Sequence, residues 1–255
     1  MDFLCVCIRV PKSGSTSLAK MLNEAFAGRQ TFYVPHTLNL DAAISRFQEA
    51  RFARTRSRNL MKRYRTFSLE KAFEIIASRA ANGDLINGGH IDFPSVRNNI
   101  RRKAKIITLL REPAARCRSE YEYCRNAYLK SSHLRRIDIS ARCKAAAKYS
   151  FDGFLDFLLE WREGYGNVAS NFVGWDGEQD LQAFHEENVF HSGALEESEK
   201  FENGLSEKMR LHVRMPHDNY GQSDESYVIT RAQKAKIEAI YPRDYQLHEW
   251  QLGHA

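Results

Sequence analysis

The sequence lacks long hydrophobic runs. No stretch approaches the roughly 18 uncharged apolar residues that mark a membrane-spanning helix. An apolar, strand-like segment begins at residue 3, which leaves no room for a signal peptide before it. These absences predict a cytoplasmic protein with no integral membrane segment, unless the chain is the trimmed catalytic domain of an anchored protein.

Cysteine and proline are scarce, and repeats are missing. The five cysteines are odd in number, and Cys5 and Cys7 alternate along one strand-like run, so no disulfide framework is expected. No Cys/His spacing matches a zinc site, which predicts that no metal is bound. With only six prolines and no low-complexity linker, the 255 residues are expected to form a single domain, residues 1–255.

The common nucleotide-binding loops are missing too. Neither G-x-x-x-x-G-K-[ST] nor G-x-G-x-x-G occurs. Instead, residues 10–18 read VPKSGSTSL and stand between an apolar run at residues 3–8 and an amphipathic run at residues 18–22. This order predicts a strand, a tight turn and a helix, and the small residues let the backbone approach an anion that the helix N-terminus attracts. The alternative is a serine-capped helix that binds no ligand.

A second polar site follows a β-branched apolar run. Residues 104–110, AKIITLL, predict a buried parallel strand, and Pro113 suits the first turn of the helix that follows. Arg111 therefore lies at the carboxyl end of a strand, where open α/β sheets bind ligands. Ser119 lies about two turns into the helix. Because the planar arginine fork holds phosphate with two hydrogen bonds, this pattern favours a second phosphate site.

Both sites resemble motifs of the sulfotransferases. Residues 11–17, PKSGSTS, resemble that family's 5′-phosphosulfate loop, and residues 110–121, LREPAARCRSEY, resemble its 3′-phosphate motif. The motifs also occur in the family's order. The resemblance implies that the chain binds 3′-phosphoadenosine 5′-phosphosulfate (PAPS) and that Lys12 also takes part in catalysis. The matching cofactor-binding residues are Lys12, Ser13, Gly14, Ser15, Thr16, Ser17, Arg111 and Ser119.

The segment between the motifs resembles the carbohydrate branch of the family, which contains heparan and uronyl 2-O-sulfotransferases. Residues 85–93, LINGGHIDF, are similar to its Gly-His-hydrophobic segment, in which a histidine is the catalytic base. Some relatives carry another histidine two positions earlier, where this chain has Gly88. The resemblance implies that His90 takes the proton of an acceptor hydroxyl on a carbohydrate. His36 is the second candidate base, and a structural role, bonding a backbone carbonyl, is the alternative for His90.

The alternation of strands and helical stretches predicts an α/β fold, in which a P-loop-like parallel sheet carries helices on both faces. This is also the fold that the sulfotransferase resemblance implies. The late segments, residues 171–174, 189–196 and 227–250, are expected to be core and scaffold. His191 is expected in a loop or at the surface, and Arg118 and Arg125 are expected to be solvated.

The net charge of +6 is unevenly distributed. Between residues 46 and 65, eight basic residues stand against one acidic residue, Glu49. This stretch either attracts an acidic polymer, such as a uronate-bearing glycan, or forms a solvated helix or a lid. No recognition motif accompanies it, so nucleic acid is not an expected partner. Two other function classes remain open: a nucleotide-dependent kinase, and a non-catalytic glycan-binding protein on the same scaffold.

Overall fold

A computed structural model describes residues 1–34, 69–132, 136, 139–216 and 227–254 of the chain. Its centre is a five-stranded sheet in the order β2-β3-β1-β4-β5, in which every strand pair is parallel. The strands are β1 (Leu4–Ile8), β2 (Thr31–Phe32), β3 (Leu85–Asn87), β4 (Ala104–Leu110) and β5 (Val189–Ala194). The predicted strand at residues 104–110 therefore has the predicted bounds, whereas the strand-like residues 31–34 contribute only two residues to the sheet.

Helices connect the strands and continue after the sheet is complete. They are α1 (Ser15–Ala25), α2 (Leu69–Arg79), α3 (Phe93–Asn99), α4 (Pro113–Leu129), α5 (Ala141–Lys148), α6 (Phe151–Glu160), α7 (Arg162–Tyr165), α8 (Val168–Val173), α9 (Leu181–Asn188), α10 (Ser198–Met209), α11 (Arg231–Ile240) and α12 (Pro242–His254), with a 3₁₀ turn at Leu195–Glu197. No helix in the described parts of the chain is long and apolar enough to cross a membrane.

Both faces of the sheet are covered, because successive residues of a strand point to opposite sides. Val6 and Ile8 of β1 belong to a core cluster that includes residues of α2, α3, α8, α9 and α12. Cys5 and Cys7 point to the other side, where α1 and α10 supply Leu18 and Phe201 among others. The predicted α/β fold with helices on both faces is confirmed, and so is the shared face of the two cysteines. The extent of the domain, residues 1–255, stays a prediction.

A third core cluster lies outside the sheet, among α4, α5, α6 and α11. Cys117 and Tyr121 of α4 pack there with Phe154 and Ile237. Arg118 lies at its edge, because its guanidinium stacks 3.8 Å from the ring centroid of Tyr227 and its side chain is mostly covered. The expectation that Arg118 is solvated is therefore wrong.

His191 also differs from its prediction. It lies on β5, is buried, and has Nε2 2.8 Å from the carbonyl oxygen of Phe201. Burial lowers the pKa of His191 to about 4, so the ring stays neutral near pH 7. Its sequence context, Val-Phe-His-Ser-Gly-Ala, shows no apolar–polar alternation that would have placed this histidine in a strand.

Candidate functional site

The candidate site lies where three neighbouring strands end. β1 pairs with β3 on one side and with β4 on the other, so that Ile8 faces Thr108 and Cys7 faces Asn87. Because all three strands run parallel, the segments that follow them meet at one edge of the sheet. Ligands of open α/β sheets bind at this edge, where the strand order reverses. The structure thus brings together the loop after β1, the turn that carries His90, and Arg111.

The loop after β1 is a tight turn with an unusual backbone. Lys12 and Gly14 have φ angles of 67° and 69°, in the left-handed region. For a residue with a side chain this conformation costs on the order of 1–2 kcal/mol, so surrounding contacts must hold Lys12 in place. A Cβ atom added at Gly14 would lie 2.8 Å from Leu195 Cδ1, so both the φ angle and the space favour glycine.

The start of α1 fits an anion. The first helical hydrogen bond runs from Leu18 N–H to the Gly14 carbonyl, at 3.1 Å, so the N–H groups of residues 15–17 have no partner within the helix. Gly14 supplies no side-chain cap, unlike Asp92 and Glu112, which cap α3 and α4. Ser13 is fully buried, and its Oγ has no hydrogen-bond partner among the described residues. Unpaired N–H groups and a buried hydroxyl at a helix N-terminus are what a phosphate or phosphosulfate group requires.

Arg111 is tied to this loop. It is half-buried at the end of β4, and its Nη1 donates a hydrogen bond of 3.4 Å to the Lys12 carbonyl. Ser119 lies about two turns into α4 and is half-buried. Pro113 occupies the first turn of α4, and Glu112 caps it by accepting a hydrogen bond from Ala115 N–H. The structure therefore places Arg111 and Ser119 on the strand end and helix that the sequence predicts.

The Lys12 ammonium group lies over an aromatic ring. Its Nζ is 4.6 Å from the ring centroid of Tyr123 on α4. Burial lowers the pKa of Lys12, and the positive charge of Arg111 lowers it further. Sequence reasoning missed Tyr123. The one signal was its spacing, since Tyr123 follows Ser119 by one helical turn and shares its face of α4.

His90 is oriented by the backbone after β1. Its Nδ1 lies 2.6 Å from the carbonyl oxygen of Arg9, which can only accept a hydrogen bond. In the neutral ring the proton is therefore on Nδ1, and Nε2 is the basic nitrogen. Burial lowers the pKa of His90, so the ring is neutral at pH 7 and able to take a proton. A purely structural histidine would make the same bond to a carbonyl, so mutagenesis has to separate the two roles.

Arg9 is a second residue that sequence reasoning missed. Its Nη1 donates a hydrogen bond of 3.3 Å to the Gly88 carbonyl, which joins the loop after β1 to the turn after β3. Gly88 is closely packed, because an added Cβ would lie 3.0 Å from the Val34 Cβ and the neighbouring side chain would have to shift by a few tenths of an ångström.

Behind the site, Arg116 of α4 is completely buried, with 1% of its side chain exposed. Its Nη1 lies 3.3 Å from Glu120 Oε2, and its Nη2 lies 3.6 Å from Asp244 Oδ2 of α12. The guanidinium also stacks 4.5 Å from the ring centroid of Tyr241. The charge of Arg116 is thus balanced by Glu120 and Asp244 inside the fold, and Arg116 is not a ligand-binding group.

Two sequence predictions fall outside the described residues. They are the candidate base His36 and the basic stretch at residues 46–65. Within the described residues, no group of three His, Cys, Asp or Glu side chains is arranged to hold a metal ion.

The site combines a parallel sheet, uncapped N–H groups in the turn after its first strand, and an arginine at the end of the neighbouring strand. This combination is typical of α/β proteins that bind phosphorylated nucleotides. Comparison with known proteins gives the family. Residues 5–191 match the family model described as "Sulfotransferase domain", which is well over half of the chain. The chain belongs to the sulfotransferase family, and it is a PAPS-dependent sulfotransferase.

A solved structure supports the fold independently of sequence. The crystal structure of mouse sulfotransferase SULT7A1 complexed with PAP matches with a TM-score of 0.53 and 11% sequence identity, covering 100% of this chain and 90% of the mouse chain. No curated protein matches the sequence.

Proposed function

We propose that this chain transfers the sulfuryl group of PAPS to a hydroxyl of a carbohydrate, with His90 as the general base. The observation that carries the proposal is the position of His90, whose Nδ1 bonds to the Arg9 carbonyl at the strand edge that also carries Lys12 and Arg111. The bond supports a neutral ring with its proton on Nδ1, so that Nε2 is the basic nitrogen. The lowered pKa of His90 keeps Nε2 unprotonated under neutral conditions.

The geometry of the site and the resemblance to the family's two phosphate motifs support the following cofactor contacts. The N–H groups of residues 15–17 and the buried Ser13 hydroxyl would hold the 5′-phosphosulfate. Arg111 and Ser119 would hold the 3′-phosphate, for which the arginine fork is well suited. Gly14 and Thr16 complete the loop, Gly14 by its left-handed backbone and Thr16 by an exposed hydroxyl. These contacts fix both ends of the nucleotide and so position the sulfur for in-line attack.

In the reaction, the acceptor oxygen forms a bond to sulfur while the bond from sulfur to the bridging phosphate oxygen breaks. His90 Nε2 takes the proton that the acceptor hydroxyl loses. Lys12 neutralises the negative charge that develops on the departing phosphate oxygen, which is electrostatic stabilisation of the transition state. The products are the sulfate ester, adenosine 3′,5′-bisphosphate (PAP) and a protonated His90, which returns its proton to solvent.

The resemblance of residues 85–93 to the carbohydrate branch supports a carbohydrate acceptor. The test is sulfate transfer from labelled PAPS to a panel of uronate-containing glycans, neutral glycans, phenols and hydroxylated lipids. We expect product with glycans and a low rate with the other acceptors. Transfer only to phenols or lipids would contradict the carbohydrate assignment while leaving the sulfotransferase activity intact.

Replacement of His90 by glutamine is expected to lower kcat/KM by about 100- to 10,000-fold, since the variant lacks the proton acceptor. The pH profile gives a second readout. Activity of the wild-type protein requires unprotonated His90, so kcat/KM falls as the pH drops through the His90 pKa. Because burial lowers this pKa, the fall is expected below pH 6.5, and it should vanish in the variant.

The matched control is His254→Gln, because His254 is exposed and its Nδ1 also faces a backbone carbonyl, that of Trp250. This variant should keep wild-type activity. PAP affinity of the His90 variant should stay within about twofold. If His90→Gln changes only the melting temperature, the role of His90 is structural. If His36→Gln loses activity and His90→Gln does not, His36 is the general base.

Replacement of Arg111 by methionine is expected to weaken PAP binding by about 10- to 100-fold, because a charge-assisted hydrogen bond contributes roughly 1.5–3 kcal/mol. Calorimetry should be done with both PAP and adenosine 5′-monophosphate, which lacks the 3′-phosphate. Wild type should prefer PAP, and the variant should lose most of that preference. The control is Arg125→Met on the exposed face of α4. An unchanged preference for PAP would refute the 3′-phosphate assignment.

A further inference from the structure

Tyr123 has no assigned role, yet it contacts the lysine of the phosphosulfate loop. Lys12 Nζ lies 4.6 Å from the centroid of its ring, and Tyr123 is 60% exposed. An ammonium group over an aromatic face is attracted by the ring quadrupole. The contact links the loop after β1 to α4, two elements that lie far apart in the sequence.

Lys12 is held at both ends by the segment that carries the 3′-phosphate motif. Its main-chain carbonyl accepts a hydrogen bond from Arg111, and its side chain rests on Tyr123. Tyr123 lies one helical turn after Ser119, so the two side chains share one face of α4. The left-handed backbone at Lys12 fixes where its side chain leaves the loop. A lysine side chain loses considerable rotamer entropy when it is ordered. These contacts restrict the Lys12 side chain in the folded protein, so that less rotamer entropy is left to lose.

A ring is a suitable partner for a lysine that must act on phosphate. A carboxylate would pair strongly with the ammonium group and compete with the incoming anion. The two glutamates nearest to Tyr123 in the sequence form ion pairs with arginines, Glu120 with Arg116 and Glu122 with Arg118, and their charges act on Lys12 through space. The ring orients the charge without neutralising it.

We propose that Tyr123 is a positioning residue for Lys12, holding the ammonium group at the edge of the phosphosulfate loop so that it is in place when the sulfur–oxygen bond breaks. This inference rests on the proposed function, in which Lys12 neutralises the leaving oxygen. Tyr123 acts through Lys12, and the face of its ring, not its hydroxyl, contacts the ammonium group.

The kinetic test compares Tyr123→Leu with Tyr123→Phe. The leucine variant lacks the ring, so kcat should fall about two- to fivefold, while the KM for PAPS changes less. The phenylalanine variant keeps the ring face and should retain the wild-type kcat. The control is Tyr149→Leu, which removes a similar exposed stack, Lys148 over Tyr149 at 5.0 Å, away from the site.

Proton NMR gives a readout that an indirect effect on folding would not produce. The ring current of Tyr123 should shift the Lys12 Cε protons upfield in the wild-type and Tyr123→Phe proteins without nucleotide. The shift should be absent in Tyr123→Leu. Unshifted Lys12 protons in the wild-type protein would overturn the proposal, and so would equal kcat values for the leucine and wild-type proteins.

The Lys12→Met variant separates failure of this inference from failure of the function on which it rests. If Lys12→Met is inactive and Tyr123→Leu is fully active, Lys12 acts in catalysis and Tyr123 does not position it. If Lys12→Met is fully active, the proposed role of Lys12 is wrong, and the positioning proposal falls with it. A similar loss of kcat in the leucine and phenylalanine variants would assign the effect to the hydroxyl and overturn the role of the ring.

Discussion

Replacement of Lys12 by methionine is expected to lower kcat about 100- to 1,000-fold, the usual loss when one preorganised charge or donor is removed from a developing oxyanion. Methionine keeps an unbranched apolar stem of similar length, so the packing of the loop should survive. The free energy of unfolding should change little. Burial and the charge of Arg111 lower the pKa of Lys12, so the charged form is less favourable in the folded protein than in the unfolded chain, and removing the charge is not expected to destabilise the fold.

The measurement is single-turnover sulfate transfer at saturating PAPS, together with chemical denaturation. Lys234→Met is the matched control, because Lys234 is an exposed lysine of α11. Lys12→Arg should recover only part of the activity, since a planar guanidinium does not replace a compact ammonium group. A Lys12→Met enzyme with a near-normal rate would remove Lys12 from the mechanism.

The parts of the fold that the sequence predicts well are those set by local patterns. β4 is a mostly apolar run with three β-branched residues, and Arg111, Glu112 and Pro113 follow it, so both its bounds and the start of α4 could be predicted. The turn at residues 11–14 could be predicted because small residues separate an apolar run from an amphipathic one. In these segments the residues that decide the structure are neighbours in the chain.

The parts that could not be predicted depend on contacts between distant segments. The partner of the Lys12 ammonium is Tyr123, and the partner of His90 Nδ1 is a carbonyl of Arg9, which any residue at that position would supply. β2 is only two residues long, since Thr31 and Phe32 alone pair with β3. Apart from the spacing of Tyr123 from Ser119, side-chain patterns carry no signal for these contacts.

Arg116 shows the same limit within one helix. The sequence presents three arginines at positions 116, 118 and 125, and nothing local distinguishes them. Arg116 is buried because Asp244 of α12 and Tyr241 before it meet the guanidinium inside the fold. Asp244 also accepts hydrogen bonds from Ala169 N–H and Ser170 N–H at the start of α8. One buried ion pair therefore joins α4, α8 and α12.

Replacement of Arg116 by methionine is expected to lower the free energy of unfolding by about 3–5 kcal/mol, because it leaves the buried carboxylate of Asp244 without its cation. Glu120 is affected less, since Arg142 also pairs with it. Arg125→Met on the exposed face of the same helix should change stability by less than about 0.5 kcal/mol.

Urea denaturation of Arg116→Met, Asp244→Asn and the double variant completes a double-mutant cycle. The double variant should be more stable than the sum of the single losses predicts, because the second substitution removes the charge that the first leaves unpaired. Additive losses would mean that the two side chains stabilise the fold independently. The ion pair would then not be the contact that holds α4, which carries Ser119, against α12.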